Sequence, residues 1–222
     1  MSKRILIYGD SNSWGYLDDG SGQRFDQRWP VVMGHSFTDH QDVTLIEECL
    51  PGRTTNCPDP QEGNHFNGAE PLMAILMSHQ PLDHVIIMLG TNDMKARFRR
   101  DAEDISGGIL ELVTIISQSQ SGLGGWNGTK SPAVTVICPP MLGERADNPG
   151  WIRYDEWLGG FETSQLLPAA LGRACQDRKI NFINGNEGAL SSDRDPIHWA
   201  AETHRTFGRF IAETMTNILD HE

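Results

Sequence analysis

Short apolar runs separated by longer amphipathic stretches give the chain its first structural signal. Residues 4–8, 43–47, 84–89, 133–138 and 180–183 are brief, mostly apolar and rich in β-branched side chains, as strands buried on both faces are. Helical periodicity occupies 29–37, 69–79, 102–119 and 161–177, with a last stretch at 200–219. Within 102–119, Ile105, Ile109, Leu112, Val113 and Ile116 fall at i, i+4, i+7, i+8 and i+11, so one helix face is apolar. This alternation predicts an α/β fold of flavodoxin-like, doubly wound type, a five-stranded parallel sheet with helices on both faces. Ligands of such sheets bind beyond the C-terminal ends of the strands.

Three segments break the pattern. Residues 17–27 are rich in Gly and Asp, 51–67 in Pro, Asn and Gly, and 139–160 carry Trp151, Tyr154 and Trp157. The Gly-rich 121–128 reads as a surface loop. Neither a repeat nor a break in composition divides the 222 residues, which suit one core, so 1–222 is expected to be a single domain.

Charge narrows the partners. A net charge of −12 disfavours duplex nucleic acid and anionic membrane, both of which require a basic face. The apolar run after Lys3 and Arg4 stops at Gly9, too short for an export signal or a membrane span, which predicts a cytoplasmic protein. Cys49, Cys57, Cys138 and Cys175 lack paired CxxC spacing and are expected to be reduced, mostly buried thiols. In that compartment the sequon Asn127-Gly128-Thr129 is a chance match. No metal or cofactor is implied: Glu62-x-x-His65 lies in a loop with no third ligand in view.

Chemistry gathers at the strand ends. The first strand runs into Gly9-Asp10-Ser11-Asn12-Ser13-Trp14-Gly15. A serine at a strand-to-helix junction exposes its hydroxyl at the positive end of a helix, and its own N–H can face a developing oxyanion. The competing reading is that Asp10 or Ser11 only caps that helix. Gly-x-Ser-x-Gly is absent. Pro51-Gly52 after the second strand fits a type II turn, either an ordinary one or one presenting a backbone N–H. Gly90-Thr91-Asn92-Asp93 after the third offers a neutral amide donor suited to an oxyanion, or another cap. Deprotonating a serine needs a base that works near neutral pH, the role histidine suits, and Asp195-Pro196-Ile197-His198 supplies an imidazole and a carboxylate to orient it. His35, His40, His79, His84, His204 and His221 read as surface or helix-end residues. In a doubly wound sheet the four segments converge on one edge.

This ordered set resembles the SGNH (GDSL-type) hydrolases. Gly9-Asp10-Ser11-Asn12 is similar to their first block, Gly52 to the second, Gly90-Thr91-Asn92-Asp93 to the third and Asp195-x-x-His198 to the fifth. The resemblance implies Ser11 as nucleophile, His198 as base and Asp195 as its partner. It also implies an oxyanion hole of the Ser11 and Gly52 amides and the Asn92 side chain. Ser13-Trp14-Gly15, Glu47-Glu48, Arg53-Thr54-Thr55-Asn56 and the stretch 86–100 resemble the bacterial arylesterase/acyltransferase branch. Members of that branch hydrolyse small acyl esters, some transfer the acyl group to alcohols or peroxide, and some are homo-oligomers, octamers included. A small-molecule ester is thus the expected substrate and a homo-oligomer the expected assembly, with Asp10, Trp14 and Trp151 as candidate substrate-binding residues. Asn12 stands where the family more often has Leu, and the loops 17–27 and 141–160 differ in length and content. A carbohydrate O-acetylesterase with the same triad is the alternative enzyme. A non-catalytic flavodoxin-like ligand-binding module is the alternative outside enzymology.

Overall fold

A computed structural model describes residues 2–37 and 42–220. Strands form where the short apolar runs lie: β1 (Lys3–Gly9), β2 (Val43–Cys49), β3 (His84–Met88), β4 (Ala133–Cys138) and β5 (Asn181–Asn184). All neighbours pair in parallel, in the order β2-β1-β3-β4-β5. The chain leaves β1 to one side to build β2, then returns to lay β3 on the other side. Winding therefore reverses between β1 and β3, where a doubly wound sheet opens a crevice. Gly9 is in register with Met88, so the segments after these strands emerge side by side.

Successive residues of a strand point to opposite faces, and the core follows that period. Ile5, Ile7, Ile86 and Met88 meet Trp29, Met33 and Phe37 of α2 (Trp29–Phe37) and Phe207, Ile211 and Met215 of α7 (Ala201–Leu219). On the other face Leu6, Tyr8, Val85 and Ile87 pack on Leu72 and Leu76 of α3 (Ala69–His79) and Leu112 and Ile116 of α4 (Ala102–Gln118). Val136 and Cys138 meet Ile105 and Ile109, with Leu167 and Leu171 of α6 (Gly160–Arg178). The apolar stripe expected in α4 is thus its buried face, with Val113 at the margin. Asp101 and Asp104 exchange side-chain and backbone hydrogen bonds at its start, satisfying two orphan amides.

The irregular segments hold short elements that periodicity cannot show. These are α1 (Ser11–Trp14), α5 (Tyr154–Trp157), and single 3₁₀ turns including Asn64–Phe66, Asn92–Met94 and Ala96–Phe98. All four cysteines are free, Cys138 and Cys175 buried and the other two half-buried. Among the described residues no helix is long and apolar enough to cross a membrane.

Two histidines expected at the surface lie inside. His84 is fully buried within β3, its Nε2 2.8 Å from Thr135 Oγ1 on the neighbouring strand. His204 is fully buried as part of the α7 stripe that continues through Phe207, Gly208 and Ile211, and donates from Nε2 to the Tyr16 carbonyl at 3.4 Å. Both lie among the apolar inward positions of their elements, although the side chain is polar. Burial pushes His204 down to about 4, so it stays neutral near neutrality. His35 is exposed and His79 ends α3, as expected, while His40 and His221 lie outside the described residues.

Candidate active site

Ser11 opens α1 directly beyond β1. Asp10 caps this helix, its Oδ1 accepting from the Asn12 amide at 3.1 Å. Gly15, at φ 95°, ends it after four residues. So short a helix holds the serine at its first turn, with the hydroxyl over the end of the sheet.

The segment before α7 reaches this hydroxyl from the other side of the crevice. Asp195 organises its own turn, Oδ1 accepting from the Ile197 amide at 2.8 Å. Its Oδ2 accepts from His198 Nδ1 at 2.6 Å. That contact puts the proton on Nδ1 and leaves Nε2 as an acceptor, 3.2 Å from Ser11 Oγ. Burial works to raise the Asp195 pKa, but hydrogen bonding and charge from His198 and the local amides outweigh it and hold it below the usual carboxylate range. Asn12 Nδ2 donates to the Ile197 carbonyl at 3.1 Å, joining the two segments. The Tyr16 ring lies on the His198 ring, centroids 4.4 Å apart. Ser11 is 5% and His198 9% exposed, so the hydroxyl–imidazole contact is largely shielded from water.

The other two blocks come up beside them. Gly52 sits at φ 92°, where a Cβ would lie 2.7 Å from the Phe66 ring; both conformation and space call for glycine. Neither its amide nor that of Ser11 donates to another group among the described residues. Asn92 begins the turn after β3, its Nδ2 donating to the Arg53 carbonyl at 3.2 Å. An NH₂ carries two protons, so a second remains to donate. Arg53, which the sequence offered only as part of the arylesterase-like stretch after Gly52, is 5% exposed and donates to the Gly9 carbonyl at 3.2 Å and to that of Glu48. Its guanidinium lies 4.2 Å from the Tyr8 ring centroid. It thereby ties the ends of β1 and β2.

The three expected substrate-binding residues are placed differently from one another. Asp10 is 1% exposed and Trp151 7%, the first as a helix cap and the second packed in the core. Trp14 alone keeps a half-exposed ring, with Arg24 over it at 5.6 Å. Burial raises the Asp10 carboxyl to about 6, opposed by the Asn12 amide and by His198. The Thr91 hydroxyl also favours the anion, yet Oδ2 makes no hydrogen bond of acceptable geometry among the described residues. Glu62 faces Arg97 at 3.8 Å while the His65 ring lies on Phe66, so the pair does not converge on a common point. Among the described residues no three His, Cys, Asp or Glu side chains gather to hold a metal.

A further cluster anchors the 139–160 segment. Glu156 of α5 lies 3.6 Å from Lys95 and 3.4 Å from Arg97, which in turn binds Asp59 at 2.7 Å. Partners so far apart in the chain leave no signature in sequence.

A serine hydroxyl, an imidazole and a carboxylate in hydrogen-bond sequence at the switch point of a parallel sheet belong to a serine-dependent carboxylic ester hydrolase. The chain belongs to the GDSL-like lipase/acylhydrolase family, whose model matches residues 7–206. It is similar to the native M. smegmatis aryl esterase over 97% of this chain and 99% of that one, at 37% identity and TM-score 0.86. It is also similar to a carbohydrate acetylesterase from Sinorhizobium meliloti, over 98% and 100%, at 33% identity and TM-score 0.87. No curated protein matches the chain.

Proposed function

We propose that Ser11 attacks small acyl esters, acetyl and aryl esters foremost, and carries the acyl group as an enzyme ester. The observation that carries this reading is the Asp195–His198–Ser11 chain of contacts at 2.6 and 3.2 Å. His198 Nε2 takes the hydroxyl proton as the Ser11 Oγ–carbonyl bond forms, and Asp195 offsets the imidazolium charge. The carbonyl π electrons move onto oxygen, met by the Ser11 and Gly52 amides and the spare Asn92 proton. His198 then protonates the leaving alcohol as its bond to carbon breaks. In the second half-reaction His198 deprotonates water, whose oxygen bonds to the acyl carbon; the acyl–Oγ bond then breaks, Ser11 Oγ takes the proton back from His198, and the acid leaves. An alcohol or peroxide in place of water gives acyl transfer.

Ser11→Ala is expected to abolish turnover of phenyl acetate while leaving the melting temperature unchanged, and an organophosphonate should label Ser11 in the wild type. Wild-type activity in the variant would refute the assignment. The similarity to the S. meliloti carbohydrate acetylesterase supports a second substrate class, acetylated sugars. Rates on acetylated xylan and phenyl acetate, with and without a competing alcohol, separate the two esters and reveal transfer. A non-catalytic ligand-binding module is excluded by the family.

A further inference from the structure

The two outer donors of the oxyanion hole stand on separate loops, and one buried carboxylate joins those loops. Asp93 directly follows Asn92 and is fully buried. It accepts from the Thr55 amide at 3.0 Å and from Thr55 Oγ1 at 2.6 Å. Thr55, also fully buried, lies three residues beyond Gly52 on the turn that presents the Gly52 amide. Arg100 Nη1 completes the web, 2.7 Å from Asp93 Oδ1 and 2.6 Å from Asn56 Oδ1. A single carboxylate thus fixes the second block to the third, beside the direct Asn92–Arg53 bond at 3.2 Å.

Buried ion pairs contribute little net stability, because desolvation consumes much of the Coulomb attraction. What such a pair does supply is registry. Asp93 has no exposed surface with which to meet a substrate, so any influence on the reaction passes through the donors it anchors. An oxyanion hole depends on that anchoring, since misplacing a catalytic group by about 1 Å costs up to about 10²-fold in rate.

We propose that Asp93, acting through Thr55 and Arg100, is the positioning residue of the oxyanion hole, setting Gly52 and Asn92 at the spacing the tetrahedral intermediate requires. The proposal rests on the assignment of Gly52 and Asn92 as oxyanion donors. It separates Asp93 from Asn92: the first never touches the oxyanion, the second donates to it.

Thr55→Val keeps shape and volume while deleting the hydroxyl donor, and Thr55→Ser restores it; Asp93→Asn is the harsher companion. Phenyl acetate gives kcat and KM, and phenylboronic acid, which forms a tetrahedral adduct on serine, gives a transition-state-like inhibition constant. Thr55→Val and Asp93→Asn should lower kcat by about 10- to 100-fold with KM within about twofold, and boronate affinity should fall alongside kcat. Thr55→Ser should return both to near wild type. Because the Thr55 variants preserve packing, they decide the matter even if Asp93→Asn fails to fold. Wild-type kcat and boronate affinity in Thr55→Val, or a change in KM alone, would overturn the proposal. Asn92→Ala, run in parallel, should lose about 10²–10³-fold in kcat. If it does while Thr55→Val does not, only the positioning role fails; if Asn92→Ala keeps wild-type kcat, the donor assignment itself fails. Combining Thr55→Val with Asn92→Ala should give less than the summed loss, because part of the Thr55→Val effect passes through the Asn92 donor that Asn92→Ala already removes.

Discussion

Replacing Asp10 by Asn should make the protein more stable, and increasingly so as pH rises. Asp10 is 1% exposed, its Oδ2 has no hydrogen-bond partner among the described residues, and burial raises its pKa from 3.8 to about 6. In the unfolded chain the group ionises near 3.8; in the native protein it keeps its proton to about 6. A raised carboxyl favours the folded state below the unfolded pKa, and that advantage drains away as pH climbs to the folded value. The shift of about 2 units corresponds to about 3 kcal/mol lost by pH 7. Asn can still accept from the Asn12 amide, so the cap survives. The substitution forfeits only the attraction of the anion to the helix start, below about 1 kcal/mol. Asp10→Asn should therefore match the wild type near pH 4 and exceed it by about 2–3 kcal/mol at pH 8, or about 4–12 °C in melting temperature. Calorimetric or circular-dichroism melts of both proteins at pH 4, 6 and 8 measure this, with groups common to both cancelling in the difference. A variant no more stable than wild type at pH 8, or a gain independent of pH, would refute the reasoning.

Asp195→Asn should lower kcat by about 10⁴-fold by removing the carboxylate that fixes the His198 tautomer, as a phenyl acetate assay will show. The Asp195 pKa is depressed in the fold, so its contribution to stability is present above the unfolded value and lost in acid. The stability gap between variant and wild type should accordingly close as pH falls. Gly108→Ala would place a Cβ 2.2 Å from Thr55 Oγ1 and 2.6 Å from Asn56 Oδ1. Alanine otherwise gains about 1 kcal/mol over glycine in a helix, so a net loss of about 1–3 kcal/mol in urea unfolding would report this close approach, and a gain would deny it.

How much of this was legible in the sequence follows from the range of each interaction. Strand and helix patterns are local, so all five strands could be read as short apolar, β-branched runs and the α4 stripe from its helical period. The order of the motifs relative to the strands brought Ser11, Gly52, Asn92 and Asp195/His198 to one edge, because a doubly wound sheet has one crevice. Pairings across that crevice were not legible. Thr55 and Asp93 are 38 residues apart, and Asn12 and Ile197 are 185 apart. Residue type also misled: His84 and His204 are polar yet fully buried.

Ser11 and His198 meet across 187 residues of intervening chain, and that distance has a meaning for folding. On the proposed mechanism, a molecule in which β1 and its neighbours have formed carries the serine but no base, and should hydrolyse nothing. Ester turnover begins only when the segment before α7 docks, so partly folded chains are chemically silent. During refolding, a burst titration of acyl-enzyme therefore counts finished molecules. Fluorescence from the buried tryptophans, by contrast, reports collapse as soon as it occurs. The lag between the two signals times the docking of the segment before α7 beside the end of β1.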